Sequence, residues 1–453
     1  MVSEIIILLE AITIIGLALF FIINKDFTYG IYMWLASNLL FKYQKISMAD
    51  SILPDLSLDR LLFIFLLVVF ISEILIKKRK IFSFTRVEYS MFFFCLFAAM
   101  SMMWTSSAVK EGNRLAIGNL LTGYVMPFSM FFIAQNVYDN HEKRRGFLKF
   151  VILVGIYLSF TAIFEHLNID KLVFPKYILD EEFGIHFGRA RGPFCQAAVN
   201  GTALGFAFSA IFYFLFNLER GRIWKIYSII LLAVSPLALF FTYTRAVWLG
   251  AMLSFAIICI FILKQNQKAF VIIAVIFCVL ILIIAPHFLD YDTLSIANER
   301  MFQEEPINDR LSLYVVYLNM FISNPIFGVG FMKFKANSPE YFENIPDLPF
   351  NYTGLSPHDT FAGILAEMGG LGITFILIIY ISILLASVRL YKNLKLSEHD
   401  LKSMVVIFWG FMAVYVVNAL CIEMGYFEFV NSVFFIFAGI IYRCQRERCE
   451  KIA

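Results

Sequence analysis

Long apolar segments, separated by short polar ones, run through the whole chain, and this pattern predicts membrane-spanning helices. A span needs about 20 mostly apolar residues to cross the hydrocarbon core of a bilayer. About twelve segments meet this requirement, at residues 5–24, 58–76, 88–105, 115–138, 147–166, 194–216, 224–242, 246–263, 269–286, 359–387, 403–421 and 427–443. Residues 28–42 are also apolar but too short, so we expect a re-entrant or interfacial segment there. The pattern predicts an all-α polytopic membrane protein with a single membrane domain over residues 1–453.

One polar interruption, at residues 287–357, is much longer than the others and comes late in the chain. Loops of this length inside a compact domain are usually functional. It contains an apolar segment, 311–322, which predicts a helix that lies against the bundle or in the membrane interface rather than in water. Asn308 or Asp309 is expected to cap this helix, and Asn324-Pro325 to end it. The sequence therefore places any chemistry in this loop.

The composition favours lipid rather than water as the surrounding solvent. Hydrophobic residues make up 60% of the chain and charged residues 16%, whereas a soluble domain has roughly 45–50% and about 25%. The first residues lack a basic segment and a cleavage site, which predicts a retained first span rather than a signal peptide. The net charge of +3 gives no indication of nucleic-acid binding. The cysteine spacing predicts neither a metal site nor a disulfide framework.

The distribution of basic residues predicts the orientation. Lys and Arg are concentrated in every second loop, at residues 77–86, 143–145, 220–225, 264–268, 389–395 and 443–451. Loops rich in basic residues stay on the cytoplasmic side. Both termini are therefore expected in the cytoplasm, and the long loop 287–357 outside it.

Among the arginines outside these basic loops, three stand out at span ends or in the long loop: Arg191, Arg245 and Arg310. An ionisable group near membrane depth usually serves a pathway or a ligand. The arginine fork makes bidentate bonds to phosphate and never deprotonates. We interpret the three side chains as converging on a phosphate-bearing lipid substrate. The alternative is that they extend to lipid headgroups, which we favour for Arg189.

Arg310 has a further argument in its favour. It is predicted in the first turn of its helix, where a positive charge is unfavourable by roughly 0.3–1 kcal/mol. A residue that breaks a local rule without local benefit is expected more often at functional sites. The alternative is an ion pair of Arg310 with Asp309 or Glu305, which offsets this energy.

His358 is the candidate for proton transfer. It is the histidine at the outer entrance of a span that has polar neighbours, and His186 and His287 are the outer alternatives. Histidine can take a proton from an attacking hydroxyl near neutral pH, although a lone histidine is more often structural. Glu367 follows about two turns into the span, where it is expected to cap a helix or pair inside the bundle.

The residues around these candidates resemble a known family. Arg310, the run NPIFGVG (324–330), the run HDTF (358–361) and the run EMGGLG (367–372) match the shared core of the O-antigen ligase and O-antigen polymerase superfamily. The earlier RGPF…GT (191–202) and the turn TRAVW (244–248) match as well. In the family Asn usually follows the histidine, and here Asp359 takes its place.

The resemblance implies an enzyme rather than a carrier. It implies a metal-independent, inverting glycosyltransferase of the GT-C type that uses no cofactor. The enzyme would move a glycan from undecaprenyl pyrophosphate to a hydroxyl at the outer face of the bacterial cytoplasmic membrane. Arg191, Arg245 and Arg310 would engage the pyrophosphate, and His358 with Arg310 would be catalytic. The acceptor would be a glycan or lipid A-core, and a chain-length regulator or a flippase would be the candidate protein partner.

Two choices stay open from the sequence. The motifs do not separate a polymerase, which extends a lipid-linked repeat, from a ligase, which transfers to a terminal acceptor. The residues that choose the acceptor are expected in the variable loops 167–193 and 332–355. The alternative class is a transporter or flippase of lipid-linked oligosaccharides, but the paired broken helices typical of such repeats are not evident in the sequence.

Overall fold

The computed structural model describes residues 2–46, 54–76, 81–103, 110–185, 187–216, 221–262, 305–342, 357–395 and 397–450. These residues form two compact units. The first contains residues 1–150, 313–393 and 419–453, and the second contains residues 151–312 and 394–418. The single membrane domain expected from the sequence stays a prediction.

The described chain is almost entirely helical, which confirms the predicted all-α polytopic membrane class. In chain order the helices are α1 (Val2–Asn24), α2 (Phe27–Leu40), α3 (Leu58–Leu75), α4 (Arg86–Ser101), α5 (Lys110–Leu120), α6 (Met126–Val137), α7 (His141–His166), α8 (Ala197–Leu215), α9 (Arg222–Phe240), α10 (Arg245–Phe261), α11 (Glu305–Ser323), α12 (Phe334–Phe342), α13 (Thr360–Asn393), α14 (His399–Ala419) and α15 (Glu428–Glu450). A π-helical turn, Leu121–Val125, joins α5 to α6.

Six helical segments among the described residues are long and apolar enough to cross a membrane. They are Arg114–Val137, His141–His166, Ala197–Leu215, Arg222–Phe240, Thr360–Asn393 and His399–Ala419. Shorter apolar helices occur at Ile12–Asn24, Arg245–Phe261 and Ser312–Ser323. The count of about twelve spans remains a prediction, and its segment 269–286 lies outside the described residues.

The short apolar segment after the first span forms α2, which has 14 residues. At 1.5 Å per residue this helix is about 21 Å long, too short to cross a hydrocarbon core of about 30 Å. The Asp26 side chain caps it by accepting the backbone N–H of Thr28 at 3.0 Å. Two strands follow, Lys45–Ile46 paired antiparallel with Leu56–Ser57, and they are an addition to the all-helical prediction.

In the first unit, α6 packs closely against α15. A Cβ on Gly439 would lie 2.4 Å from the Phe131 carbonyl oxygen, so only glycine permits this approach. Phe128 and Phe435 meet edge to face at 4.9 Å between ring centroids. Helices that lie in lipid gain little from apolar burial against one another, and close van der Waals contact through small residues stabilises them instead.

In the second unit, α8 is the central helix. Its first half, AAVNGTALGFA, is fully buried. Gly201 packs on Val247 of α10 and Gly205 on Val414 of α14. Phe206 and Phe411 stack with centroids 4.6 Å apart, so small residues and one aromatic pair set the spacing of this unit.

Helix α11 corrects one expectation about Arg310. The helix begins at Glu305 rather than at residue 308 or 309, and Pro306 suits the first turn because its missing N–H has no helical partner there. Arg310 is thus in the second turn, and the argument from an unfavourable first-turn charge is wrong. The helix ends at Ser323, directly before Asn324-Pro325, as predicted.

Candidate functional site

Helix α13 is broken at Gly369, which has φ +61° and ψ −159°. The segment 325–330 lies in this break and restores the hydrogen bonds that the break removes. The four bonds run from Val329 N–H to Ala366 O (3.1 Å), from Gly330 N–H to Glu367 O (2.8 Å), from Gly370 N–H to Pro325 O (2.8 Å) and from Leu371 N–H to Ile326 O (3.3 Å). Backbone groups at membrane depth must be paired within the protein. The runs NPIFGVG and EMGGLG therefore form one structure.

Two glycines make this contact possible. Gly328 has φ +71°, and a Cβ there would lie 2.3 Å from the Glu367 carbonyl oxygen. A Cβ on Gly369 would lie 2.5 Å from the Ile326 carbonyl oxygen. Both positions need the left-handed backbone that favours glycine, and both need the absent side chain.

The Glu367 carboxylate fixes the next part of the same segment. It is 6% exposed and accepts the backbone N–H of Met332 at 2.9 Å and of Phe334 at 3.0 Å. Phe334 begins α12, so Glu367 orients that helix relative to α13. The sequence predicted that Glu367 caps a helix or pairs inside the bundle, and the structure shows that its carboxylate accepts two backbone N–H groups.

His358 lies two residues before α13 and is exposed. Its backbone N–H donates to the Tyr317 hydroxyl at 2.9 Å. Tyr317 and Tyr314 lie one turn apart on α11, and the Tyr314 hydroxyl donates to Asp359 Oδ2 at 2.6 Å. Two tyrosines of one helix thus hold the backbone of the predicted catalytic histidine and the residue after it.

Asp359 also caps α13. Its Oδ1 accepts the backbone N–H groups of Phe361 at 2.8 Å and Ala362 at 2.9 Å. A carboxylate at a helix N-terminus satisfies orphan donors and complements the helix dipole. The departure from the family's usual Asn is chemically conservative here, because either side chain can accept these bonds.

The residues before α15 close the same region from another side. The Thr360 hydroxyl donates to Ile422 O at 2.8 Å and accepts the backbone N–H of Met424 at 2.9 Å. Glu423 is 8% exposed, and its Oε1 accepts Gly425 N–H at 2.8 Å. Burial raises the pKa of Glu423 well above its usual range, so burial favours the protonated, neutral form of this carboxyl.

Glu423→Gln should make the protein less sensitive to alkaline pH. The native state binds a proton at Glu423 that the unfolded chain releases above its ordinary pKa, so wild-type stability falls as pH rises from about 4.5. Glutamine is neutral throughout, so the variant avoids this loss. Thermal unfolding in detergent at pH 5 and pH 8 measures the effect. An equal fall of Tm with pH in both proteins would contradict it.

In the second unit, Arg191 is 0% exposed. Its Nη1 donates to Phe183 O at 2.8 Å, and its Nη2 to Ile178 O at 2.8 Å and Asp180 O at 3.2 Å. Glu165 lies 3.8 Å from Arg191 Nε and accepts the backbone N–H of Arg191. Arg191 therefore holds the loop 167–190 together, and its predicted contact with pyrophosphate remains a prediction.

Arg191→Ala should destabilise this loop by about 1–3 kcal/mol, because the buried Ile178 carbonyl and two part-buried carbonyl groups lose their donor. Limited proteolysis in detergent should cut between residues 167 and 190 faster than in wild type. Arg189→Ala is the matched control, since Arg189 is only half-buried. If Arg191→Ala is as protease-resistant as Arg189→Ala yet no longer binds donor, Arg191 is a ligand residue and its structural role is minor.

Arg245 is the first residue of α10 and is exposed. Tyr243, with φ +46°, makes the sharp turn between α9 and α10. The Trp248 indole N–H donates to Leu239 O at 2.9 Å. The Trp248 ring stacks on the Phe240 ring, with 5.6 Å between the ring centroids. The run TRAVW thus forms a rigid turn that presents Arg245 at a helix N-terminus.

The predicted residues fall into two groups. His358 belongs to the first unit, whereas Arg191 and Arg245 belong to the second. The side chain of Arg310, and both His186 and His287, lie outside the described residues. Tyr314 and Tyr317 were not predicted as site residues. Their spacing of three residues places both hydroxyl groups on one face of an apolar helix, and this pattern could have indicated them.

The broken helix, the fully paired backbone at its break and the apolar helices define a polytopic membrane protein with a built site at one helix entrance. Residues 230–377 match the model of a family described as O-antigen ligase. The chain carries an O-antigen ligase domain and is a membrane enzyme of the glycosyltransferase type, as the resemblance predicted. The match includes Arg245, Arg310 and His358 but not Arg191. No curated protein matches the chain.

Proposed function

We propose that the protein transfers a glycan from an undecaprenyl-pyrophosphate donor to a hydroxyl of a glycan or lipid-core acceptor at the outer face of the cytoplasmic membrane. The observation that carries the proposal is His358, exposed at the start of α13 with its backbone bound by Tyr317. A general base needs this combination of access and fixed position.

In the proposed reaction His358 takes the proton of the acceptor hydroxyl as its oxygen attacks the anomeric carbon. The new glycosidic bond forms as the bond between that carbon and the pyrophosphate oxygen breaks. Attack from the face opposite the leaving group inverts the anomeric centre. The electron pair leaves on the pyrophosphate, whose growing negative charge requires preorganised cations.

Arg245 and Arg310 are the proposed cations for that charge. Arg245 is exposed at a helix N-terminus, where the helix dipole adds positive potential for an anion. Arg310 lies within the matched family region. Their planar guanidinium groups suit a pyrophosphate because each can bind two oxygens.

Product analysis tests the function. Purified protein in proteoliposomes would be given lipid-linked repeat units alone, or with a lipid-core acceptor, and the products separated by size. Release of free undecaprenyl pyrophosphate with a lengthening glycan indicates a polymerase, and single transfer to the core indicates a ligase. Transbilayer movement of intact donor without a new glycosidic bond would refute the proposal in favour of a flippase.

The orientation is tested separately, with cysteine placed at Glu340 or Lys395 in a background whose native cysteines are replaced. Position 340 belongs to the loop proposed to lie outside, and Lys395 to a basic loop proposed to lie in the cytoplasm. A membrane-impermeant maleimide should label only position 340 in whole cells. Protection at 340 with labelling at 395 would reverse the orientation.

A further inference from the structure

An apolar cleft of about 370 Å³ opens between α3, α4 and α6 in the first unit. Its walls include Ile71, Phe92 and Cys95, and its few polar groups include Glu88 and Ser129. Ile71 and Phe92 are more than half exposed. Because these helices belong to a membrane protein, the open side of the cleft faces lipid rather than water.

The cleft is about two thirds as long as one leaflet of the hydrocarbon core is deep. Glu88 and Cys95, at its two ends on α4, are seven residues apart, about 10 Å along the helix. One leaflet of the hydrocarbon core is about 15 Å deep. With its polar end at a membrane boundary, the cleft would extend about two thirds of the way to the bilayer centre, which accommodates the upper part of one acyl chain.

The end at Glu88 is polar and fully hydrogen-bonded. The Glu88 carboxylate accepts Gln135 Nε2 at 2.7 Å and the Thr85 backbone N–H at 2.7 Å. Arg446 donates to Gln135 Oε1 at 3.2 Å and to Ser83 O at 2.9 Å. Glu88 thus has local partners, and the network joins the end of the cleft to an arginine.

This same end carries an excess of positive charge. Arg443 and Arg446 lie over the Phe82 ring, with their guanidinium carbons 5.2 Å and 4.4 Å from its centroid. Arg86 is exposed at the first residue of α4. Clusters of this kind beside a span attract anionic headgroups.

We propose that this cleft binds an anionic phospholipid, with one acyl chain between α3, α4 and α6 and the phosphate beside Arg86 and Arg446. The positive charge at one end of the cleft suits a phosphate, and the apolar walls over the remaining length suit an acyl chain. The basic end marks the proposed cytoplasmic side. The site therefore lies at the membrane face opposite the proposed transfer reaction and does not depend on that reaction.

The test uses the full chain in vesicles with a photoreactive phosphatidylglycerol or phosphatidylethanolamine, each with a diazirine in the middle of one acyl chain. Cross-linked peptides are identified by mass spectrometry. We expect labelling of the α4 and α6 cleft residues, stronger with phosphatidylglycerol. Equal labelling by both lipids would overturn the headgroup assignment, and absence of cleft labelling would overturn the site.

Two variants sharpen the result. Cys95→Trp fills the inner end of the cleft and should abolish most labelling, whereas Leu96→Trp, which adds the same ring on the lipid-facing side of the same helix, should not. Arg86→Gln should lower the preference for phosphatidylglycerol by about fivefold, the contribution of one arginine near the surface. Unchanged labelling in Cys95→Trp, or cross-links between two copies of the chain at the cleft, would refute a lipid occupant.

Discussion

His358→Ala should reduce glycan transfer by about 10²–10⁴-fold, the usual contribution of a general base. Donor binding should stay close to wild type, because the arginines proposed to hold the pyrophosphate are unchanged. The backbone N–H that donates to Tyr317 is also retained, so the variant is expected to fold. Turnover of lipid-linked donor by the purified protein in proteoliposomes measures the rate.

The matched control is His399→Ala. His399 is also exposed and also lies at the start of a long helix, as its first residue, but it is on the proposed cytoplasmic side. Its removal should leave the rate unchanged. A His358→Ala protein that turns over donor at the wild-type rate would remove His358 from the mechanism and leave it as a residue of the helix entrance.

Glu367→Ala should lower folding stability by roughly 2–6 kcal/mol. The substitution leaves the buried N–H groups of Met332 and Phe334 without an acceptor, and each such group costs about 1–3 kcal/mol. Tm in detergent should fall by roughly 2–6 °C. Activity should fall as well, since α12 and the segment 325–330 lose their connection to α13.

Two variants show whether the hydrogen bonds carry the effect. Glu340→Ala removes an exposed carboxylate from neighbouring α12, and should change stability by less than about 0.5 kcal/mol. Glu367→Gln keeps one acceptor oxygen and should fall between wild type and Glu367→Ala. Equal Tm values for Glu367→Ala and Glu340→Ala would show that the two backbone bonds contribute nothing.

The periodic and apolar features of the fold were readable from the sequence, because burial in lipid requires unbroken apolar helices of a set length. The predicted span 147–166 ends at the last residue of α7, and 224–242 extends two residues past the end of α9. The end of α11 followed from Asn324-Pro325, since a residue before proline disfavours helix. The start of α11 was predicted too late in the chain. Pro306, which suits the first turn of a helix, marks the true start.

The contacts that complete the site depend on residues far apart in the chain, and local patterns carry no information about them. Glu367 accepts from amides 33 and 35 residues earlier. Arg191 was predicted as a ligand residue because it lies outside the basic loops, just before a span. The carbonyl groups that it binds come from a loop whose path only tertiary packing determines. The break at Gly369 needed the partner segment 325–330 to be recognised.

That break also determines how high above the bilayer the chemistry takes place. Residues 370–388 of α13 are 19 helical residues, about 29 Å long, which matches the hydrocarbon core of about 30 Å. In the proposed orientation Arg389 then lies at the inner edge of that core. The nine residues 360–368 then extend up to about 14 Å beyond the outer edge. In the proposed orientation His358 then lies at the far end, at the height of the hydrated headgroups. In the proposed orientation the donor has to lift its pyrophosphate out of the hydrocarbon, and an acceptor dissolved in water can reach the histidine without a membrane anchor of its own.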